Sequence, residues 1–348
     1  MILKREDVDI DKLTKEGELY EKIENEKVRC FACAHRCVIF EGKRGICKVR
    51  YNRGGKLFVP FNYVSGLQID PIEKKPFFHV LPGSRALTFG MLGCNFHCPY
   101  CQNWITSQAL KDERAYLYYE KIKAEEIIEI AISRKSKSVI SSYNEPLITT
   151  EWAREIFRLA KEKGLLTGYV SNGYVTDETL DYLEEVLDLF KVDLKSFRNK
   201  NYRILGAILD KVLDGIIKIH KKGLWIEIVT LLVPNYNDSE EELRDIAKFI
   251  YSLSPNIPWH VTAFHPDYKM NDRERTSLRK ILRAREIGLE EGLKFVYGGN
   301  VRIPEVENTY CPECGELLIE REIFFVTQNK LKKGKCFKCE TEIPGIWE

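Results

Sequence analysis

Three cysteines close together in the sequence constrain this chain more than any other feature. Cys94, Cys98 and Cys101 follow the spacing C-x3-C-x2-C, directly after an apolar run over residues 86–92 that is typical of a buried strand. A structural zinc site needs four protein ligands, so these three thiolates are one too few. A [4Fe–4S] cluster has four irons, so three thiolates leave one iron free to bind a small molecule. The spacing therefore predicts a cluster with an open iron at the end of a strand.

The sequence around these cysteines resembles that of radical S-adenosylmethionine (SAM) enzymes. Their spacing is the signature of that superfamily, and segments 70–76, 81–84 and 101–104 resemble its AmmeMemoRadiSam branch, which is related to the pyruvate formate-lyase activating enzymes. The resemblance extends from about residue 30 to the C-terminus. It implies that the open iron binds the amino and carboxylate groups of SAM, and that reductive cleavage of SAM yields a 5′-deoxyadenosyl radical. A zinc knuckle completed by His97 is the alternative for these three cysteines.

All eleven cysteines fall into three clusters, so each of them is a candidate metal ligand. Disulfides would not concentrate cysteines at such short spacings in a cytoplasmic chain. The first cluster suits a closed tetrahedral zinc site, and an auxiliary [4Fe–4S] cluster is the alternative. The last cluster, two C-x2-C pairs, predicts a zinc ribbon, so we expect two zinc sites beside the SAM cluster. The ligands of the first cluster are Cys30, Cys33, Cys37 and Cys47, and those of the ribbon are Cys311, Cys314, Cys336 and Cys339.

Charge is distributed unevenly along the chain. The net charge of +2 predicts no polyanionic partner for the protein as a whole. Segment 27–56, however, carries nine Lys or Arg residues and one acid, Glu41. A basic metal-binding knuckle of this kind suits contact with nucleic acid or another polyanion, and a solvated face is the alternative. The chain has no apolar run of transmembrane length and is charged from Lys4, so we expect a cytoplasmic protein without membrane association.

Apolar and amphipathic segments alternate from residue 86 onward, which predicts βαβ units and a parallel sheet. The alternation spans about 215 residues, less than the roughly 250 of a closed eight-unit barrel. We therefore predict an α/β fold with a partial (β/α)6 TIM-like barrel, which the family resemblance also implies. The expected regions are an N-terminal helix and the basic four-cysteine knuckle in residues 1–57, the barrel in residues 58–305, and the zinc ribbon in residues 306–348.

The end of the second barrel strand supplies the first candidate contacts with SAM, because barrel active sites lie at the C-terminal ends of strands. Here Tyr143-Asn144-Glu145-Pro146 resembles the Gly-Gly-Glu element that holds the SAM ammonium group in the family. Carboxylate and amide oxygens both accept hydrogen bonds from an ammonium group. The absence of the two glycines leaves open whether Asn144 or Glu145 contributes more.

Further candidates lie at the ends of the next two strands. The resemblance implies that Ser171 or Asn172 reaches the ribose or the carboxylate of SAM. Asp193 and Lys195 alternate onto one face of their strand, and the family places this pair near SAM and the substrate. Tyr100, the aromatic residue before the third cysteine, is the remaining candidate cofactor contact.

Three classes of function are compatible with these features. The first is a radical SAM enzyme that abstracts hydrogen from a macromolecule, either a glycyl site in a protein, as activating enzymes do, or a tRNA. The second is a radical SAM enzyme that acts on a small metabolite, and the third is a non-catalytic zinc protein that binds nucleic acid. Two zinc modules and a basic knuckle favour the macromolecular substrate. The resemblance also implies an electron donor such as ferredoxin or flavodoxin.

Overall fold

Short antiparallel strands form the N-terminal module in the computed structural model, which describes residues 10–115 and 118–348. A 3-10 turn, Ile10–Lys12, precedes them. Two three-stranded sheets have the orders β1-β6-β5 and β2-β3-β4. The strands are β1 (Thr14–Glu16), β2 (Tyr20–Ile23), β3 (Lys27–Cys30), β4 (Val38–Ile39), β5 (Tyr51–Arg53), β6 (Lys56–Pro60) and β7 (Tyr63–Val64).

The N-terminal helix predicted from the sequence is wrong for the residues that the structure describes. Residues that were expected to lie in this helix form β1 and β2 instead, and residues 1–9 lie outside the described residues. Strands β2 and β3 pair as a hairpin, and Asn25 and Glu26 adopt positive φ angles in its turn. Leu19 and Val28 are buried in a small apolar cluster of this module. Pairing with neighbouring strands therefore outweighs the weak helical spacing of the apolar residues.

Eight strands form the main sheet, in the order β16-β15-β14-β13-β12-β11-β9-β8. Strands β9 and β11 to β16 are parallel, which confirms the predicted partial barrel. The antiparallel edge strand β8 was not predicted from the sequence, and β10 (Glu120–Lys121) pairs separately with β7. The main-sheet strands are β8 (Gly66–Pro71), β9 (Arg85–Gly90), β11 (Ser138–Ser141), β12 (Leu166–Ser171), β13 (Leu189–Asp193), β14 (Trp225–Leu232), β15 (Trp259–Ala263) and β16 (Val296–Gly299).

Amphipathic helices connect the parallel strands and cover the outside of the sheet. In α7, the Ser239 side chain accepts a hydrogen bond from the Glu242 amide, and Ile246 and Ile250 are buried. A serine N-cap and acidic residues in the first turn both stabilise a helix N-terminus, which explains where α7 begins. The helices are α1 (Trp104–Ser107), α2 (Ala124–Ser133), α3 (Thr150–Glu162), α4 (Asp177–Leu183), α5 (Asn199–Ile204), α6 (Leu209–Lys221), α7 (Glu240–Leu253), α8 (Leu278–Glu290) and α9 (Pro304–Glu307).

The C-terminal ribbon packs against the two edges of the barrel sheet. Its strands are β17 (Thr309–Tyr310), β18 (Leu317–Glu322) and β19 (Phe325–Asn329). The Arg321 side chain is fully buried and donates to the carbonyl of Phe78 at 2.7 Å. Phe324, in the β18–β19 turn, lines one cleft with β8 and another with the end of β16. The ribbon therefore covers the gap between the first and last strands of the incomplete barrel.

No helix in residues 10–115 or 118–348 is both long enough and apolar enough to cross a membrane.

Candidate active site at the cysteine loop

The three cysteines of the C-x3-C-x2-C motif lie in the loop between β9 and α1, at the C-terminal end of β9. Two glycines allow this loop to approach its neighbours closely. A Cβ atom on Gly90 would lie 2.5 Å from the carbonyl oxygen of Ser142, which no side chain tolerates. Gly93 has a φ of +97°, and a Cβ there would lie 2.8 Å from a methyl group of Val49. The barrel strands and the N-terminal module thus enclose the loop on both sides.

The sulfur atoms of these cysteines are positioned by short polar contacts. The Phe96 amide donates to Cys94 Sγ at 3.3 Å, and Ser107 Oγ lies 3.1 Å from Cys101 Sγ. Burial raises the pKa of the Cys98 thiol to about 12, although the Lys195 ammonium opposes this. Such a thiol ionises only when a metal supplies positive charge, because the thiolate is the form that ligates. This set of one buried and two half-buried thiols therefore fits a metal cluster.

Glu145 is the central acceptor at the mouth of the barrel. Its Oε1 accepts from Ser171 Oγ at 2.6 Å and from the Leu147 amide at 3.2 Å, and its Oε2 accepts from the Asn172 amide at 2.9 Å. Burial raises the pKa of this carboxyl to about 7, and the three donors limit the rise. An ionised carboxylate offers about four acceptor positions, so roughly one position, on Oε2, remains for a ligand.

Asn144, Ser171 and Asn172 use their side chains within the protein. Asn144 Oδ1 accepts from the Met91 amide at 3.0 Å, which ties this residue to the segment entering the cysteine loop. Ser171 Oγ donates to Glu145, and Asn172 Nδ2 donates to Asn95 Oδ1 at 2.7 Å. The structure thus brings these predicted residues together around Glu145, where they orient the carboxylate and the loop.

Asp193 and Lys195 form an ion pair of 3.2 Å at the end of β13. Lys191, which the sequence analysis missed, binds the other oxygen of Asp193 from inside the barrel. Burial alone would raise the pKa of Asp193, but the two ammonium groups outweigh it and hold the pKa at about 2. Tyr100 is buried beneath the loop, and its hydroxyl has no hydrogen-bond partner among the described residues.

Two more residues at the cysteine loop were not predicted from the sequence. Asn95 Oδ1 lies 3.8 Å from Cys94 Sγ, and Lys111 Nζ donates to the carbonyl of Cys94 at 2.6 Å. Lys191 had a detectable signal, because it is a charged residue inside an otherwise apolar strand two positions before Asp193. Asn95 and Lys111 had none, since their roles depend on contacts between distant segments.

The two four-cysteine sets differ in geometry. Within the described parts of the chain, the C-terminal set is the only group of three or more His, Cys, Asp or Glu ligands whose ligating atoms all lie within 4.8 Å of one another. The Cys311–Cys339 and Cys314–Cys336 sulfur distances are 3.5 and 3.7 Å. Tetrahedral coordination with Zn–S bonds of about 2.3 Å requires sulfur separations of about 3.8 Å, so the ribbon fits one zinc ion. The N-terminal cysteines instead line a common cleft beside Arg50.

Salt bridges neutralise much of the charge asymmetry in the N-terminal module. Five of its nine basic residues pair with acidic residues outside segment 27–56. The pair between Arg50 and Glu151 is fully buried and joins the module to the start of α3. The basic knuckle predicted from the sequence is therefore much less positive in the folded protein. The five pairs are Arg29–Glu21, Arg36–Glu178, Arg44–Asp11, Arg50–Glu151 and Lys56–Glu16.

A large cleft opens between the end of β16 and the ribbon. It has a volume of about 830 Å³, and its lining includes Gln102 of the cysteine loop. Arg275, Asn300 and Arg302 contribute polar groups to its wall. The cleft therefore connects the neighbourhood of the cysteine loop with solvent.

Comparisons with known proteins agree with this arrangement. The model of the radical SAM superfamily matches residues 89–250. An uncharacterised protein of Methanocaldococcus jannaschii is 41% identical over 89% of this chain and 92% of its own length. A second protein of that organism, named as a glycyl-radical enzyme activating enzyme, is 29% identical over 60% of this chain and 78% of its own length. The pyruvate formate-lyase 1-activating enzyme of Escherichia coli is 24% identical over 63% and 92%. This chain belongs to the radical SAM superfamily of enzymes.

Proposed function

We propose that this enzyme cleaves SAM reductively and uses the resulting radical to abstract hydrogen from a protein substrate. When bound, a [4Fe–4S] cluster supplies one electron to the sulfonium of SAM, which releases the 5′-deoxyadenosyl radical. The observation that carries the proposal is the position of Glu145, a buried carboxylate with a free acceptor position beside the loop that holds Cys94, Cys98 and Cys101. An acceptor there suits the amino group of SAM.

The residues around the cysteine loop have different roles in binding the cluster and SAM. Cys94, Cys98 and Cys101 would hold the cluster, and Glu145 accepts from the SAM amino group. Asn144 keeps the entry to the loop in place through Met91. Ser171 and Asn172 orient the Glu145 carboxylate, so we assign them to positioning rather than to direct contact with the ribose.

Charged groups inside the barrel support a role for β13 in binding SAM and substrate. Lys195 lies close enough to Cys98 and Cys101 to lower the pKa of both thiols against the effect of burial. Its ammonium therefore favours the anionic thiolates that a cluster requires. Asp193 pairs directly with both Lys191 and Lys195; it opposes the lowering of the Lys191 pKa by burial and raises the pKa of Lys195. We infer that this triad sets the charge of the cavity that receives SAM and the substrate.

A protein is the substrate class that these features favour. The cleft beside Gln102 has room for a peptide segment to approach the cysteine loop. Neutralisation of the basic N-terminal module weakens the case for RNA, whose binding depends on unpaired Lys and Arg. The two relatives named as activating enzymes are named for their action on another enzyme. We further infer that the C-terminal ribbon binds zinc and that a ferredoxin or flavodoxin supplies electrons.

An isotope experiment distinguishes the substrate classes. Cells that lack the gene are grown in heavy water, and their protein, RNA and metabolite pools are separated. Each pool is incubated with cluster-loaded enzyme, unlabelled SAM and a reductant, and the 5′-deoxyadenosine is analysed by mass spectrometry. We expect deuterium in 5′-deoxyadenosine with the protein pool alone. Deuterium transfer from the RNA pool or the metabolite pool alone would overturn the assignment to protein.

A further inference from the structure

Two arginines in the wall of the cleft beside the ribbon have no acidic partner. Arg275 and Arg302 both line this cleft, which has a volume of about 830 Å³. Elsewhere in the barrel, Arg198, Arg244 and Arg283 each pair with an acidic residue. Among the residues that the structure describes, neither Arg275 nor Arg302 forms an ion pair. Their two guanidinium groups are therefore available to an anion from outside the protein.

The segment that carries Arg275 is attached to the C-terminal ends of two barrel strands. Thr276 Oγ1 donates to the carbonyl of Leu232 at 2.5 Å and accepts from the Phe264 amide at 3.0 Å. Arg275 Nη2 donates to the carbonyl of Asn300 at 2.9 Å, and the structure gives its other N–H groups no partner in the described residues. A guanidinium group has five N–H donors, so about four remain for a ligand. Arg275 is thus held at the end of the barrel where active sites lie, with most of its donors free.

Arg302 lies in the short connection between β16 and α9. At the start of this connection, Asn300 has a φ of +57°, and its Nδ2 donates to the carbonyl of Ala263 at 3.0 Å. Arg302 itself is exposed and forms no hydrogen bond with the described part of the chain. Its guanidinium group can therefore bind a ligand without first breaking a bond within the protein.

The acidic residues near the cleft do not offset these two positive charges. Glu307, the only acid in the described lining, is buried, and its Oε2 accepts from the Ile323 amide at 2.9 Å. Burial raises the pKa of Glu307 to about 7, so near neutral pH it carries only about half a negative charge. Glu274 and Glu305, which neighbour the arginine segments in sequence, are exposed and lie outside the lining. His265, which also lines the cleft, adds no negative charge, so the cleft is electropositive.

The rest of the lining suits a polypeptide better than RNA. Phe78, Val301 and Phe324 provide apolar surface, and Gln102 and Asn300 provide amide groups. An apolar wall with a few polar groups binds the side chains of a peptide and fixes its orientation. RNA binding instead depends on many Lys and Arg contacts with successive phosphates, and two arginines line the described part of this cleft. The cleft therefore fits an acidic segment of a protein.

We propose that Arg275 and Arg302 bind acidic side chains of the protein substrate and so place a nearby residue of that protein beside the cysteine loop. The inference rests on the proposed abstraction of hydrogen from a protein. A guanidinium group binds a carboxylate through two parallel hydrogen bonds, which fix orientation as well as position. Two arginines on separate segments match two carboxylates, whereas the C-terminus of a protein offers one. Gln102 lines the same cleft and directly follows Cys101, so a segment that fills the cleft meets the cysteine loop.

Peptide binding to the full-length, cluster-loaded enzyme tests this assignment. The probe is a fluorescent peptide of alternating glutamate and glycine with an amidated C-terminus, and binding is followed by fluorescence anisotropy. The matched peptide has glutamine in place of glutamate. We expect the acidic peptide to bind at least about tenfold more tightly, because it alone forms charge-assisted hydrogen bonds. Equal affinity for the two peptides would overturn the proposal.

Two further probes distinguish other sources of negative charge. One is a neutral peptide with a free C-terminal carboxylate, and the other is a single-stranded oligouridine RNA. Both should bind more weakly than the acidic peptide. Tighter binding of either probe would overturn the assignment to acidic side chains.

Variants of the two arginines locate the binding site. Arg275→Gln and Arg302→Gln should each weaken binding of the acidic peptide by about tenfold and leave binding of the glutamine peptide unchanged. The matched control is Arg279→Gln, because Arg279 is exposed and lines a different cleft, beside α7. This control should bind the acidic peptide like the wild type. If Arg275→Gln lowers the melting temperature, the exposed Arg302 decides, and an unchanged affinity in Arg302→Gln would overturn the proposal.

Competition connects the cleft to the reaction. Deuterium transfer from the labelled protein pool to 5′-deoxyadenosine should fall as the acidic peptide is added, and the glutamine peptide should have no effect. Undiminished transfer at a saturating concentration of the acidic peptide would overturn the placement of the substrate in this cleft. Failure of the proposed function is distinguishable, because the wild type would then transfer no deuterium from the protein pool in the absence of any peptide, whereas the peptide titrations do not require SAM cleavage.

Discussion

Replacing Glu145 with glutamine tests the role of the buried carboxylate at the mouth of the barrel. The change keeps the shape of the side chain and removes its charge. Of the roughly four acceptor positions on the carboxylate, three are used by Ser171, Leu147 and Asn172, so the ligand has about one. Loss of one charge-assisted hydrogen bond to the SAM amino group should cost about 1.5–3 kcal/mol. This corresponds to a roughly 10- to 150-fold weaker affinity for SAM.

The assay is equilibrium binding of SAM to anaerobic, cluster-loaded enzyme. Binding should weaken without vanishing, because the cluster still holds the methionine end of SAM. The EPR spectrum of the reduced cluster without SAM should remain that of the wild type. Both oxygens of Glu145 accept hydrogen bonds from protein donors, so the NH2 group of glutamine would face a donor in either orientation and lower the stability of the protein. The melting temperature is therefore measured in parallel to separate lost binding from lost stability.

Glu242 offers a matched control elsewhere in the barrel. It is buried, and its Oε1 accepts from Ser196 Oγ at 2.5 Å and from the Phe197 amide at 2.6 Å. Glu242→Gln should therefore lower the melting temperature and leave the affinity for SAM unchanged. An unchanged SAM affinity in Glu145→Gln, with the cluster intact, would contradict the assignment of Glu145 to the SAM amino group. The segment from Tyr143 to Pro146 would then be only a turn, and another strand would hold the amino group.

Three further predictions follow from individual contacts. Asn144→Ala should weaken SAM binding less than Glu145→Gln and lower the iron retained on purification, because Asn144 anchors Met91; a larger loss of affinity than in Glu145→Gln would contradict this. Cys314→Ser should remove zinc and lower the melting temperature, and a fall in iron content would count against the ribbon assignment. Burial raises the pKa of Glu307 to about 7, so the stability it contributes is present below about pH 4.5 and is lost as the pH rises through about 7. Glu307→Gln should remove this loss of stability, which is at most about 3 kcal/mol. Denaturant titrations of both proteins at pH 5 and pH 8 measure it, and an identical pH dependence in both proteins would be the contrary result.

Most of the barrel could be predicted from local patterns in the sequence. The parallel strands are apolar runs, and the helices between them have buried apolar faces, so both could be located from the sequence. Strand β8 was missed because its residues are only half-buried and it ends in Pro71. The N-terminal helix was predicted wrongly because β1 is stabilised by pairing with β6, more than 40 residues later in the chain. Such pairing leaves no periodic signal in the strand itself.

The candidate site was predictable where a residue sits inside a motif and unpredictable where distant segments meet. The cysteine loop, Glu145 and the Asp193–Lys195 pair were named from their motifs or from strand alternation. The contact of His35 Nε2 with the Asn95 carbonyl depends on packing between the N-terminal module and the cysteine loop, which no spacing encodes. Likewise, the excess positive charge of segment 27–56 is real in the sequence, but its partners lie elsewhere in the chain.

The decisive measurement for the SAM cluster is the formation of 5′-deoxyadenosine by the purified enzyme. Wild-type protein with a reconstituted cluster is incubated anaerobically with SAM and dithionite, and the product is quantified by chromatography. A Cys98→Ala variant is treated identically, after circular dichroism has established that it is folded. We expect 5′-deoxyadenosine from the wild type and none above background from Cys98→Ala, since a buried ligand of the cluster has been removed. Equal production by both proteins would contradict the assignment of the three cysteines to the SAM cluster.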